Sequence, residues 1–112
     1  MKDEEEKSDY EKAISRYYEG DRVRTVIQMK VDTKAADAIA DKVATLPEIE
    51  DLFLVIGDAD LIGKASFENY SALKKFIVDR LSKIEGMRDT KTLMIVTTFK
   101  ERGEIRAEEQ KS

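Results

Sequence analysis

The sequence predicts an α+β domain of the ferredoxin-like kind. Its elements run β-α-β-β-α-β, giving a four-stranded antiparallel sheet with two helices on one face, preceded by an N-terminal helix, in an assembly of the dimeric α/β-barrel type. Three observations predict it. Val23, Thr25, Ile27, Met29 and Val31 recur with period 2, the mark of a strand with one buried face. Two segments of helical period are separated by two short strand-like runs and followed by a third. Two of the strand-like runs are apolar on both faces, although two helices can cover only one.

The elements follow in order. Residues 1–7 are a charge run. Ser8 and Glu11 then have the spacing of a capping box, and Tyr10, Ala13, Ile14, Tyr17 and Tyr18 share one helical face up to a stop at Gly20. After the period-2 strand, Asp32 or Thr33 can cap a helix whose apolar face is Ala36, Ile39, Ala40 and Val43 and which ends before Pro47. Residues 52–56 read as a strand, Gly57, Asp58, Ala59 and Asp60 as a turn, and Leu61–Phe67 as the next strand. Tyr70, Leu73, Ile77, Leu81 and Ile84 line one long helix closed by Gly86, and residues 92–99 form the last strand. The organisation is thus an acidic extension (1–21), one domain (22–100) and a loose polar tail (101–112).

In the strand at 52–56, Leu52, Leu54 and Ile56 oppose Phe53 and Val55; in the last strand, Leu93 and Ile95 oppose Met94 and Val96. The second apolar face therefore needs a cover. A second copy of the chain is the simplest one, and the Tyr-rich stripe of the N-terminal helix is the alternative.

Composition removes several function classes. The 112 residues, 41% hydrophobic and 39% charged, suffice for one globular core. The charged fraction suits a thermophile-type surface. Without Cys or His, disulfides, Cys/His zinc sites, thiol nucleophiles and Ser-His-Asp triads are excluded. A net charge of −4 argues against a chain that binds nucleic acid alone. No apolar run approaches a membrane span, and the acidic N-terminus is no signal peptide, so a soluble cytoplasmic protein is expected. No cofactor, metal site or catalytic residue is expected. Lys74, Lys75, Arg80 and Lys83 alternate with Glu68, Asp79 and Glu85, the pattern of a solvated face.

The Gly57-Asp58-Ala59-Asp60 turn is the most informative short segment. A free amino acid needs an anion for its ammonium and N–H donors for its carboxylate, and a Gly/Asp turn can supply both; the same residues also suit a plain hairpin turn. In this context residues 23–100 resemble the effector-binding (RAM) domain of the Lrp/AsnC transcription regulators. The resemblance rests on Leu46-Pro47-Glu48-Ile49, Val55-Ile56-Gly57-Asp58-Ala59-Asp60-Leu61, Ile84-Glu85-Gly86-Met87 and Thr90-Lys91-Thr92, in that order and spacing. No single piece is specific; the ordered set is.

The resemblance implies a homodimer formed through its sheets, further assembly into higher oligomers, and an amino-acid effector held near subunit contacts. By family position, the effector-binding residues are Gly57, Asp58, Asp60, Thr90 and Thr92. Asp60, or failing that Asp58, would receive the ammonium. Backbone N–H groups around Gly57 would hold the carboxylate, and the Thr90 and Thr92 hydroxyls would add neutral hydrogen bonds. On this reading Asp60→Ala abolishes effector binding and leaves the fold intact. Full-length members carry a helix-turn-helix domain, whereas only about twenty residues precede the first strand here, too few for one. A stand-alone RAM protein that modulates full-length relatives without binding DNA is therefore expected.

Other readings compete. An ACT-type sensor usually meets its effector in the loop after the first strand, and Val31-Asp32-Thr33-Lys34 has no glycine. A small dimeric enzyme of this topology would have to work without His or Trp. An RNA-recognition domain would need aromatics where Gly63-Lys64-Ala65-Ser66-Phe67 has only the last. A protein-interaction module for another partner is the remaining alternative.

Overall fold

The computed structural model describes residues 22–106. The predicted N-terminal helix lies outside the described residues. Strand β1 (Val23–Val31) leads through a 3₁₀ turn (Thr33–Ala35) into helix α1 (Ala36–Ala44). Strands β2 (Ile49–Leu54) and β3 (Leu61–Phe67) follow, then helix α2 (Tyr70–Asp79), a second 3₁₀ turn (Leu81–Lys83) and strand β4 (Met87–Met94). A hairpin of β5 (Lys100–Glu101) and β6 (Glu104–Ile105) closes the described chain. The main sheet is antiparallel in the order β2-β3-β1-β4, so β1 is central and both its neighbours come later in the chain. This is the predicted ferredoxin-like α+β fold.

The period-2 pattern of β1 works as read: Val23, Thr25, Ile27, Met29 and Val31 are all buried. Ile39 and Val43 of α1, Leu73 and Phe76 of α2, and Leu81 close over them. Thr25, the one buried polar residue of this group, donates its hydroxyl hydrogen to the Ala65 carbonyl at 3.1 Å, which removes most of the cost of burying it. The Phe67 and Phe76 rings pack tilted, 5.2 Å between centroids. Asp32 accepts from the Lys34 N–H at 3.2 Å at the first turn, and Asn69 caps α2 by accepting from the Ala72 N–H at 2.8 Å. Gly86 joins the two halves of the core. Its φ is +94°, its carbonyl accepts from the Asp32 N–H at 2.9 Å, and a Cβ there would lie 2.5 Å from Ile39 Cδ1.

Four boundaries differ from the sequence reading. Strand β2 spans Ile49–Leu54, not 52–56: the Val55 N–H still donates to the Asp60 carbonyl (2.9 Å) in register, but the Asp60 N–H goes to the Met29 carbonyl (2.9 Å) and the pairing ends there. The helix expected through Ile84 stops at Arg80 (φ −122°, ψ −57°), and the 3₁₀ turn after it carries Leu81 into the core. Arg80 is held there by Glu48 (2.6 Å) and lies 5.4 Å over the Phe76 ring. The last strand is Met87–Met94, not 92–99. As an edge strand it needs only one apolar face, and Met87 and Met94 pack on the core while Arg88, Asp89 and Lys91 are exposed. The stretch expected as a loose tail begins with the β5–β6 hairpin, tied by Glu101 to Arg24 (2.5 Å) and to Arg106 (3.4 Å).

The face of the sheet away from the helices is set by register. Arg24, Val26, Gln28 and Lys30 of β1 share it with Ile62, Lys64 and Ser66 of β3, Asp51 and Phe53 of β2, and Asp89, Lys91 and Leu93 of β4. Phe53 and Leu93 are 54% and 44% exposed on it, and Val26 and Ile62 are half-buried. The opposed pairs Leu52/Phe53 and Met94/Leu93 thus split between core and open face as their alternation predicts.

Candidate functional site

The turn between β2 and β3 is fastened through Asp60. Its N–H donates to the Met29 carbonyl at 2.9 Å, its carbonyl accepts from Val55 N–H, and its carboxylate Oδ2 accepts from the Val31 N–H at 3.0 Å. The β1–β3 ladder ends at Met29 and Leu61, so the Val31 N–H on that side lies one step beyond the last pair. A strand end leaves such a backbone donor without a ladder partner, and here the Asp60 carboxylate supplies one. Asp60 is therefore a structural residue of the strand end, a duty that residue type and turn position alone do not reveal.

The tip of the turn is open. Gly57 has φ +156° with nothing within 4 Å of a Cβ built there, Asp58 is exposed, and Ile56 is fully exposed. Asp58 and Asp60 thus stand on one turn, the first in solvent and the second half-buried with one oxygen engaged.

Thr90 and Thr92 lie within β4, on its helix-facing side, opposite Met29 and Ile27. Both are half-buried. Leu61, Met29 and Thr90 form one row across β3, β1 and β4, so Asp60 and Thr90 occupy the same end of the sheet. With β1 between them they stand two strand spacings apart, roughly 10 Å, and Thr92 is one row farther from the turn. The structure brings Gly57, Asp58 and Asp60 together and sets Thr90 near that end of the sheet; the five residues do not line a single closed pocket within one protomer.

A second polar cluster escaped sequence reasoning. Glu101 receives Arg24 and Arg106 beside the open face. The Arg24 hydrogen bond first, and its charge second, hold the Glu101 carboxyl below the ordinary carboxylate range; partial burial opposes this, and Arg106 and Lys64 add to the lowering. Arg24 and Glu101 are 77 positions apart, and no local pattern links them. Among the described residues no group of three His, Cys, Asp or Glu side chains is placed to hold a metal ion, and no helix is long and apolar enough to cross a membrane.

Comparison with known proteins gives one consistent answer. The chain is 30% identical over 93 residues to an uncharacterized HTH-type transcriptional regulator of Pyrococcus furiosus, covering 83% of this chain and 62% of that protein. It is 29% identical over 86 residues to the HTH-type transcriptional regulator FL11 of the same organism, covering 77% and 56%. The chain thus spans about three-fifths of the length of the curated relatives it matches. Among solved structures, E. coli AsnC superposes with a TM-score of 0.68 at 18% identity over 71% of this chain and 54% of AsnC. A transcriptional regulator of Neisseria meningitidis in complex with L-Met gives a TM-score of 0.68 at 20% identity over 78% and 58%. FFRP-DM1 gives 0.64 at 24% identity, with 66% of this chain matching 99% of that one. The model of the Lrp/AsnC ligand binding domain matches residues 24–105, from the second residue of β1 to the end of the last hairpin. Fold, strand order and matched span agree, and the chain belongs to the Lrp/AsnC ligand-binding-domain family.

Proposed function

We propose that this protein is a regulatory sensor, not an enzyme, whose effector is a free amino acid. The observation that carries this reading is the match of the Lrp/AsnC ligand binding domain across nearly the whole described fold. The solved L-Met complex of a regulator with the same fold supports the class of ligand. Asp60 Oδ1, the oxygen not used on Val31, and the exposed Asp58 carboxylate receive the ammonium; backbone N–H groups around Gly57 receive the carboxylate. Thr90 and Thr92, on the helix-facing side at the same end of the sheet, add neutral hydrogen bonds from there. A second copy of the chain pairs with the first as a homodimer through the opposite, open face, whose Phe53, Ile62, Val26 and Leu93 form an apolar diagonal. The protein acts in the cytoplasm on full-length Lrp/AsnC regulators and does not itself bind DNA.

A thermal-shift screen against the common amino acids tests the proposal. A ligand at 100 times its Kd stabilises the folded state by about 2.7 kcal/mol. For a domain of this size that raises Tm by roughly 10–20 °C. The rise should be lost in Asp58→Ala/Thr90→Val, which spares the Asp60–Val31 bond. No shift with any amino acid would refute the amino-acid reading and favour a protein-interaction module, for which the exposed Phe53, Leu54 and Ile56 are suited.

A further inference from the structure

The main sheet has two outer strands, β2 and β4, and their edges differ. β4 carries Arg88, Asp89 and Lys91 exposed along it, and charged side chains discourage a further strand from adding there. The first half of β2 is guarded in the same way, by exposed Glu50 and Asp51 and by the register shift between Ile49 and Asp51. Its second half has no such guard. Leu52-Phe53-Leu54-Val55-Ile56 is an unbroken apolar run, and Phe53, Leu54 and Ile56 are exposed.

Register fixes which backbone groups that edge presents. The Val55 N–H donates inward, to the Asp60 carbonyl on the β3 side. Backbone groups alternate along a strand, so Phe53 also turns its N–H and C=O toward β3, whereas Leu52 and Leu54 turn theirs outward. Among the described residues no strand lies beyond β2 to receive them.

We propose that β2 pairs edge to edge with β2 of a second copy of the chain, antiparallel about a two-fold axis at Phe53, so that the two sheets run on as one. In that register Leu52 of one copy and Leu54 of the other exchange both backbone hydrogen bonds, and the axis repeats the exchange. Phe53 meets Phe53 of the partner subunit in the close, non-hydrogen-bonded kind of pair, with Cβ atoms roughly 4.5–5.5 Å apart. Charge selects this alignment. Asp51 falls opposite an apolar Val55 and Glu50 opposite Ile56, whereas a parallel alignment in register would set each acid against its own copy. The contact is small, so the pairing is weak and depends on protein concentration. It uses an edge of the sheet and rests on neither the effector nor the open-face pairing proposed above.

Amide exchange of the full chain, read residue by residue by NMR, tests it without any substitution. A Kd on the order of 0.1 mM leaves about a fifth of the chains unpaired at about 1 mM protein and most of them unpaired at about 10 μM. The Leu52 and Leu54 amides should therefore exchange about fivefold more slowly at the higher concentration. Thr92 and Met94 are the control: the Ile95 N–H donates to the Arg24 carbonyl, so by the same alternation their amides point outward from β4, and their rates should not change. Leu54→Pro removes one outward donor and leaves the bonds to β3 in place, and in it the slowing at Leu52 should vanish. Equal rates at both concentrations for Leu52 and Leu54, equal slowing at Thr92 and Met94, or slowing at Leu52 that survives Leu54→Pro would each overturn the proposal. The amino-acid thermal shift is read at the lower concentration, where the edges are apart, so failure of the edge pairing and failure of the sensor reading are separable.

Discussion

Gly86→Ala is the substitution whose cost the structure resolves most finely. Two terms add. A φ of +94° is strained for any L side chain, about 1–2 kcal/mol. The new methyl would also meet Ile39 Cδ1 at 2.5 Å, and Ile39 is itself buried at 3% exposure, so it has little room to yield. Overpacking of that kind costs about 1–3 kcal/mol. The sum is a loss of about 2–5 kcal/mol, a large part of a small domain's stability. The two terms can be separated. Ile39→Val removes Cδ1 and costs about 0.5–1.5 kcal/mol alone. In the Ile39→Val background, Gly86→Ala should cost only the backbone term plus whatever remains from Cγ1 at 3.3 Å, giving a favourable coupling of about 1 kcal/mol or more. Urea unfolding of the four proteins, followed by circular dichroism, measures the cycle. Additive changes would refute the steric half of the reasoning, and an unchanged midpoint for Gly86→Ala alone would refute both halves.

Further outcomes follow from single contacts. Asp60→Ala should lose about 1–3 kcal/mol, because the half-buried Val31 N–H loses its acceptor, while Asp60→Asn, which keeps an acceptor oxygen, should lose less; equal losses in urea unfolding would assign the effect to charge instead. Asn69→Ala should cost about 1 kcal/mol by uncapping α2, and Asn69→Asp should restore most of it in the same measurement. Because the folded state holds the Glu101 carboxyl below its ordinary value, its contribution is present above the unfolded pKa and is lost as pH falls through the folded one; the stability gap between the parent and Glu101→Gln should be constant near neutrality and close in acid, as urea midpoints across pH would show. On the pairing proposed for the open face, Phe53→Glu/Leu93→Glu should scatter light as a monomer where the parent scatters as a dimer, while the unfolding midpoint at low protein concentration stays near the parent's, since both side chains lie off the core; a parent that is itself monomeric would refute the pairing.

Where sequence and structure agree, one physical pattern dominates. β1 is central and buried on its helix-facing side, so its alternation is read directly, and Leu61–Phe67 is bounded by the turn before it and Asn69 after it. The edges were harder. β4 alternates Met87, Thr90, Thr92 and Met94 against charged residues and carries a bulge, so the contiguous apolar run at 93–96 draws the reading five residues too far along the chain. α2 ends at Arg80 because Glu48 and the Phe76 ring hold that side chain, contacts that helical periodicity cannot register. In the candidate site the Gly-Asp-x-Asp turn is legible by residue type. That the Asp60 carboxylate already serves Val31 is not, because that bond spans 29 positions. The Glu101 cluster gives no local signal at all.

The strand order β2-β3-β1-β4 also bears on how the chain is made. β1 is among the first described elements to be synthesised, yet it lies between strands that arrive after it on both sides. From Val31 to Met94 is about 60 residues, several seconds of synthesis at roughly 5–20 residues per second. Throughout that interval the apolar face built on Val23, Ile27 and Met29 has no complete sheet to join. The domain therefore folds as a post-synthetic event rather than element by element, and its assembly is governed by loop closure over long separations. A nascent chain stalled before β4 should remain protease-sensitive along β1, and one extended past Ile105 and clear of the ribosome should not.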